Sequence, residues 1–210
     1  MTGQAAGYDL AAGAHPTSET AAGIVRERKA MATPTRRTFA RVALATVAGV
    51  PTPALERLYG LWADGGAGLL ITGNVMVDRR YLERPGNVVI DGNGGEDRLK
   101  AWARAGTVAG NQLWMQISHP GRQCSKTVTR QPLAPSDVQL DLIGMFGRPR
   151  AMTEDEIADV PRRFAHVARV ARDTGFTGVQ VHGAHGYLLS QFLAPLVEAE
   201  GLAGEIPCLR

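Results

Sequence analysis

The chain has 210 residues, 44% of them hydrophobic and 20% charged, with 25 Gly, 12 Pro and a formal net charge of +3. That length suits one domain, or one domain with a tail, and is enough to bury a real core. The ordinary apolar and charged fractions exclude collagen-like, coiled-coil and wholly disordered chains. No apolar run approaches the roughly 20 residues needed to cross a bilayer. A pI near 9.1 invites nucleic acid, but 23 Lys+Arg against 20 Asp+Glu is a small and scattered excess. A mixed solvated surface, with neither a nucleic-acid nor a membrane partner, is the better expectation. Cys124 and Cys208 lie far apart, with no CxxC or Cys/His ligand spacing. They read as incidental thiols of a reducing compartment, which places the chain in the cytoplasm.

Residues 1–50 read as a flexible or divergent leader, rich in Ala, Gly and Thr and poor in periodicity. Within it, Thr35-Arg36-Arg37-Thr38-Phe39-Ala40-Arg41 followed by the apolar Val42–Val50 run has the outline of a twin-arginine export signal. A short amphipathic helix or an irregular tail is the competing reading. From Pro51 the punctuation becomes regular. Pro53 to Ala63 carries Leu55, Leu58, Tyr59 and Trp62 at helical spacing, with Pro in front and Gly65-Gly66 behind. Gly68–Thr72 is a continuous apolar run of the kind buried on both faces of a parallel sheet. A long loop through Arg79, Tyr81, Pro85 and Gly86 leads to a second helix over about Glu96–Ala109, anchored by Leu99 and Trp102. Gln112–Ser118 is the next strand, stopped by His119-Pro120-Gly121.

Residues 119–152 hold little regular structure, and a connection of that length in a compact domain is usually functional or disordered. Thr153-Glu154-Asp155-Glu156 is a capping box opening a third helix to about Asp173. Pro161 inside that helix is expected to kink or break its first half. Gly178–Val181 is a third strand, and Tyr187–Leu193 a short helix. The alternation argues for right-handed βαβ units and a parallel sheet covered by helices. Periodicity leaves open whether this is a doubly wound sheet or a (β/α)8 barrel. No GxGxxG or GxxxxGK[ST] follows any strand, which weakens the nucleotide-binding open-sheet options.

The polar residues cluster just past the strand ends, where both architectures keep their sites. His182-Gly183-Ala184-His185-Gly186-Tyr187 brings two imidazoles and a phenol out of a strand end within six residues. Imidazoles polarise a carbonyl or phenolate oxygen by donating to it, and a phenol can protonate a developing carbanion. The bland alternative is one capping His and a core Tyr. A zinc site of His182, His185 and His119 competes weakly, because no Asp or Glu lies in the immediate cluster and no HExxH is present. Gln116, near His119-Pro120-Gly121-Arg122, offers a donor and an acceptor on one amide and so suits a heterocycle edge. Arg122 would hold an anion or, more commonly, a neighbouring carboxylate. Gly73, in Thr72-Gly73-Asn74, allows close backbone approach to a flat ligand.

Together these stretches resemble the old yellow enzyme family of FMN-dependent NAD(P)H:flavin oxidoreductases and ene-reductases. The most specific piece is Thr174-Gly175-Phe176-Thr177-Gly178-Val179-Gln180-Val181-His182-Gly183-Ala184-His185-Gly186-Tyr187-Leu188-Leu189-Ser190-Gln191-Phe192-Leu193. Gly65–Leu70, Gln116–Arg122, Leu133-Ala134-Pro135-Ser136 and Met152–Ile157 support it. The resemblance implies a (β/α)8 TIM barrel with non-covalent FMN at the C-terminal ends of its strands and NAD(P)H as electron donor. It implies that Gln116 bonds the flavin pyrimidine edge, that Gly73 and Asn74 lie against the isoalloxazine, and that His182 is near the flavin. It further implies that His182 and His185 grip the activating oxygen of an alkene or enone, and that Tyr187 protonates its α-carbon. The enzyme would act on a small molecule, and a homo-oligomer is possible.

Departures from the family pattern lie at both ends. The first strand with its Pro-Asn-Arg segment is not found before Val50, and Val197–Leu202 stands where an Asn-x-Arg-x-Asp-x-x-Gly-Gly segment is expected. The expected organisation is therefore a divergent segment 1–50, a partial FMN-binding barrel 51–196 with about three strands and flanking helices, and a divergent tail 197–210. A truncated or frame-disrupted family member follows as the expectation: either a working reductase, or a non-catalytic remnant that binds FMN weakly or not at all.

Overall fold

The longest strand forms where apolar residues alternate with polar ones, and the rest of the sheet assembles around it. In the computed structural model, which describes residues 46–47 and 49–194, the elements run in the order that follows. They are β1 (Thr46–Val47), β2 (Val50–Pro51), α1 (Pro53–Asp64), β3 (Leu69–Ile71), β4 (Val75–Met76) and β5 (Val88–Val89). Then come α2 (Glu96–Gly106), β6 (Gln112–Ser118), β7 (Leu133–Ala134), β8 (Arg150–Ala151), α3 (Glu154–Asp173), β9 (Gly178–Val181) and α4 (Leu188–Gln191). The twin-arginine stretch, Cys208 and the tail 197–210 lie outside the described residues.

β6 sits centrally, parallel to β3 and β4 on one edge and to β9 on the other, and β5 extends the sheet beyond β4. β3 and β4 are two pieces of one track. Ile71 pairs with Trp114 and Val75 with Ile117, so four residue steps on one strand face three on the other. The surplus residue makes a bulge at Thr72–Asn74, a device that re-aims side chains. Thr72 anchors it, its N–H donating to Trp114 O at 2.9 Å and its Oγ1 accepting from Gln116 N at 2.9 Å.

The three long helices cover one face of this sheet, and their sequence stripes explain why. α1 buries Leu55, Tyr59 and Ala63; α2 buries Leu99, Trp102, Ala103 and Gly106; α3 buries Val160, Phe164, Val167 and Ala171. They pack on Val75, Leu113, Met115 and Ile117 in a single core. Trp102 is its hub, edge-on to Tyr59 at 5.2 Å and to Phe176 at 5.4 Å. The opposite face is open among the described residues: Leu69, Ile71 and Trp114 are 45%, 39% and 38% exposed. The Gly68–Thr72 run is therefore covered on one face, not on both as its composition suggests.

Several local expectations change. Trp62 lies half outside the core and packs edge-on to Tyr59 at 5.0 Å. α2 stops at Gly106 rather than near Ala109, because Asn111 Nδ2 caps Gly106 O at 2.8 Å and Thr107 Oγ1 caps Ala103 O at 2.9 Å. The 119–152 connection gains a 3-10 turn at Gly121–Gln123 and the short parallel pair β7–β8. The capping box forms as read, Thr153 Oγ1 accepting from Glu156 N and Glu156 Oε2 accepting from Thr153 N. Pro161 does not break α3, which runs continuously from Glu154 to Asp173. Pro161 lies on the exposed side, where water can take the carbonyl that it leaves unpaired. No helix among the described residues is long and apolar enough to cross a membrane.

Candidate functional site

Parallel pairing of β6 with β9 brings together residues 64 apart in sequence, Gln116 standing opposite Gln180. Side chains of one strand return to the same face every second residue, so His182 leaves the sheet on the side of Gln180 and Gln116. His182 N donates to Ile117 O at 2.9 Å, which fixes that register. Gln116 and His182 thus stand side by side at the C-terminal ends of neighbouring strands. Gln116 Nε2 donates to Gln180 Oε1 at 2.7 Å, which leaves the other amide atom, Oε1, for a ligand on the open face.

Past β9 the chain turns sharply. His185 has φ +58° and Gly186 φ +72°, a conformation that costs a side-chain-bearing residue free energy and is concentrated at functional sites. The turn folds His185 back over His182, with ring centroids 5.0 Å apart, and sets Tyr187 edge-on to His182 at 4.8 Å. Ala184 N donates to His182 Nδ1 at 3.3 Å, so the neutral ring carries its proton on Nε2. That Nε2 lies 3.3 Å from His185 Nδ1, an arrangement that leaves the proton of His185 on its outer nitrogen. Burial first, and the neighbouring His185 second, lower the His182 pKa and keep it neutral near pH 7. Burial raises the Tyr187 pKa, so its phenol stays protonated. The cluster presents an imidazole N–H beside a phenolic proton, which suits polarising an oxygen and protonating a carbon.

The bulge supplies the remaining wall. Asn74 Nδ2 donates to the Tyr187 hydroxyl at 3.3 Å. Among the described residues, no atom beyond the chain neighbours comes within 4 Å of where a Cβ would stand on Gly73 or on Gly183, so both leave open space. A separate cleft of about 480 Å³ between α1 and the bulge is lined by Tyr59, Trp62, Gly73 and Asn74 but by none of His182, His185 and Tyr187. The amide, imidazole and phenol donors instead converge on the open sheet face. Their chemistry fits the ring of FMN: an amide edge at Gln116, with unobstructed backbone at Gly73 on one side of it and His182 on the other.

Two glutamines hold this wall. Gln191 is fully buried; its Nε2 donates to Gly186 O at 2.6 Å and to Pro120 O at 3.2 Å, and its Oε1 accepts from Arg122 N at 3.2 Å. It ties the His119–Arg122 loop to the His182–Tyr187 turn. Gln123 Nε2 adds a bond to His185 O at 2.8 Å. Gly121 is required there: its φ is +59°, and a Cβ would lie 2.3 Å from Gln191 Oε1. Gln191→Leu keeps the volume but strands these backbone groups, and is expected to destabilise the chain by about 2 kcal/mol in urea unfolding.

Two residues of the 119–122 loop act differently from their sequence reading. Arg122 meets no carboxylate among the described residues; its guanidinium donates to Val138 O at 3.4 Å. His119 is 3% exposed, packs on Tyr81 at 5.3 Å and accepts from Gly121 N at 3.1 Å through Nδ1. Among the described residues, no three His, Cys, Asp or Glu side chains gather as metal ligands, so His119 does not join His182 and His185. Gln180, Gln191 and Gln123 were not visible as site residues. Only the strand register and the loop closures give them partners.

Comparison with known proteins places this geometry. Residues 37–200 match the model of the NADH:flavin oxidoreductase / NADH oxidase family. The NADH-dependent flavin oxidoreductase nadA of Aspergillus parasiticus is 42% identical over 154 residues, covering 70% of this chain and 35% of that protein. The NADH oxidase of Thermoanaerobacter brockii is 36% identical over 158 residues, covering 72% of this chain and 24% of that protein. The structure of the old yellow enzyme homologue from Zymomonas mobilis superposes with TM-score 0.67 at 28% identity, covering 75% of this chain and 46% of that one. Morphinone reductase gives TM-score 0.68 at 25% identity, again over 75% of this chain and 46% of that one. The sheet and its helices are thus part of an old-yellow-enzyme-type TIM barrel, and the chain spans 35% of the length of the Aspergillus relative. With the match covering most of its residues, the chain belongs to the NADH:flavin oxidoreductase / NADH oxidase family.

Proposed function

We propose that this chain carries the flavin-ring and substrate side of an FMN-dependent NAD(P)H oxidoreductase that reduces activated alkenes, enones among them. The observation that carries the reading is the juxtaposition of Gln116 with His182, His185 and Tyr187 at the ends of two parallel neighbours. Family membership brings FMN as cofactor and NAD(P)H as electron donor. When bound, FMN would supply the hydride. Gln116 would orient the ring through its amide, with Gly73 and Asn74 along its flank. His185 through its outer N–H, and His182 once its Nε2–H is released from His185 Nδ1, would donate to the carbonyl oxygen of the alkene and stabilise the negative charge that develops there. Tyr187 would deliver its proton to the α-carbon, where the alkene's electron pair forms the new C–H bond.

The experiment is a visible spectrum of the 210-residue chain purified with added FMN. A retained yellow chromophore, bleached by NADPH without oxygen and restored by cyclohexenone, is expected. A folded chain that stays colourless at saturating FMN overturns the reading.

A further inference from the structure

Tyr187 has one hydroxyl proton and two acceptor lone pairs, so the groups that occupy the lone pairs decide where the proton points. We propose that Asn74 is the positioning residue for this phenol: its amide N–H takes a Tyr187 lone pair and turns the O–H outward, toward the open face shared with His182. The inference rests on the reading of Tyr187 as proton donor and goes beyond it, because Asn74 otherwise enters only as backbone beside the flavin.

The amide orientation follows from counting partners. Asn74 Nδ2 lies 3.3 Å from the Tyr187 hydroxyl, while Asn74 Oδ1 is buried with no partner among the described residues. Exchanging the two atoms would make Asn74 accept the phenolic proton and would bury an amide NH2 with no acceptor. One orphaned acceptor is the lesser cost, since a carbonyl left short is tolerated better than stranded donors. The assigned orientation makes Asn74 a donor and leaves the Tyr187 proton free for a ligand.

Asn74 is also held rigidly enough to aim. It occupies the bulge between β3 and β4, and the next residue, Val75, pairs with both Ile117 and Val88. Its carbonyl accepts from Asn87 Nδ2 at 3.4 Å, and Asn87 is itself fixed by Arg84 N, which donates to its Oδ1 at 2.9 Å. Once Tyr187 gives its proton to carbon, the oxygen left behind is a phenolate that the same N–H stabilises, and water returns the proton afterwards. Glu83 and Arg84 are the charged groups that act on the phenol, and they do so in opposite senses.

The test needs no bound cofactor. Tyrosinate absorbance of the full chain is titrated, and the curve of Tyr187→Phe is subtracted to isolate Tyr187. Asn74→Leu is expected to raise the Tyr187 midpoint by about half to one pH unit, the effect of losing one hydrogen bond to the charged form. Asn74→Asp, isosteric but acceptor-only, is expected to raise it by at least as much, and carries the test if Asn74→Leu fails to fold by circular dichroism. An unchanged or lowered midpoint in the folded variant overturns the proposal. In the FMN-loaded chain, Asn74→Leu should slow cyclohexenone reduction about threefold to tenfold at neutral pH. Should cyclohexenone reduction instead ignore Tyr187→Phe while the midpoint still moves, the proton-donor reading fails and the Asn74–Tyr187 coupling stands.

Discussion

Tyr187→Phe is expected to slow alkene reduction by about 100-fold to 10,000-fold, the range over which a positioned general acid contributes. Reduction of FMN by NADPH should stay within about threefold, because hydride arriving at the ring asks for no proton at the α-carbon of an alkene. The asymmetry follows from geometry. The phenol touches the His182 ring and the Asn74 amide, but it is not among the Gln116–Gln180 contacts that the proposal sets against the flavin ring. Burial holds the phenol protonated at neutral pH, so on this proposal the residue would serve as a proton source rather than as a charge. Stopped-flow measurement of the two half-reactions separates the cases. Equal losses in both would assign Tyr187 to the architecture of the turn instead of to chemistry.

The legible parts of this molecule are those set by short-range physics. A Thr followed at the third position by Glu gives the capping box of α3, and both of its bonds form. Apolar runs closed by polar residues give β6 and β9, and the polar residue just beyond such a run stands at a strand end. This is why His182 could be placed at a strand end from sequence. The bulge at Thr72–Asn74 could not, because it exists only relative to β6, where one extra residue must be absorbed between two pairings. Gln180, Gln191 and Gln123 were silent for a similar reason: an amide has no periodicity, and its partners are backbone groups that loop closure delivers. Pro161 shows the opposite error. The rule that proline breaks a helix assumes that the lost hydrogen bond must be satisfied inside the protein, and on the exposed side of α3 it need not be. Likewise the apolar character of Leu69, Ile71 and Trp114 reports what their face is suited to meet, and says nothing of what meets it among the described residues.

His119 gives the second large effect, and it concerns stability rather than turnover. The ring is 3% exposed, and burial pushes its pKa down from 6.5 to about 4. Asp78 pulls the other way, while Arg163 and Arg80 reinforce the depression. The folded chain therefore holds His119 neutral, whereas the unfolded chain binds a proton below about pH 6.5. Stability that is complete above pH 6.5 is lost as the pH falls through the window to about 4, because there only the unfolded state takes up the proton. At about 1.4 kcal/mol per pH unit the loss approaches about 3 kcal/mol across the window. His119→Asn retains an acceptor for Gly121 N and removes this titration, so its unfolding free energy should fall less steeply between pH 6.5 and 4, keeping only the slope that His182, also depressed by burial, gives both proteins. Because it also leaves part of the ring volume empty, the variant should be less stable than the parent at pH 7 by about 1–2 kcal/mol. Urea unfolding of the two proteins should thus give curves that approach or cross on acidification. The carboxylates held low by arginine partners, Glu156 at about 2 and Asp78 below its usual value, release their contributions chiefly below about pH 4.5 and so affect both proteins alike. Parallel curves through the window would mean that water reaches His119 in the folded chain, and that the loop carrying it opens more readily than its burial implies.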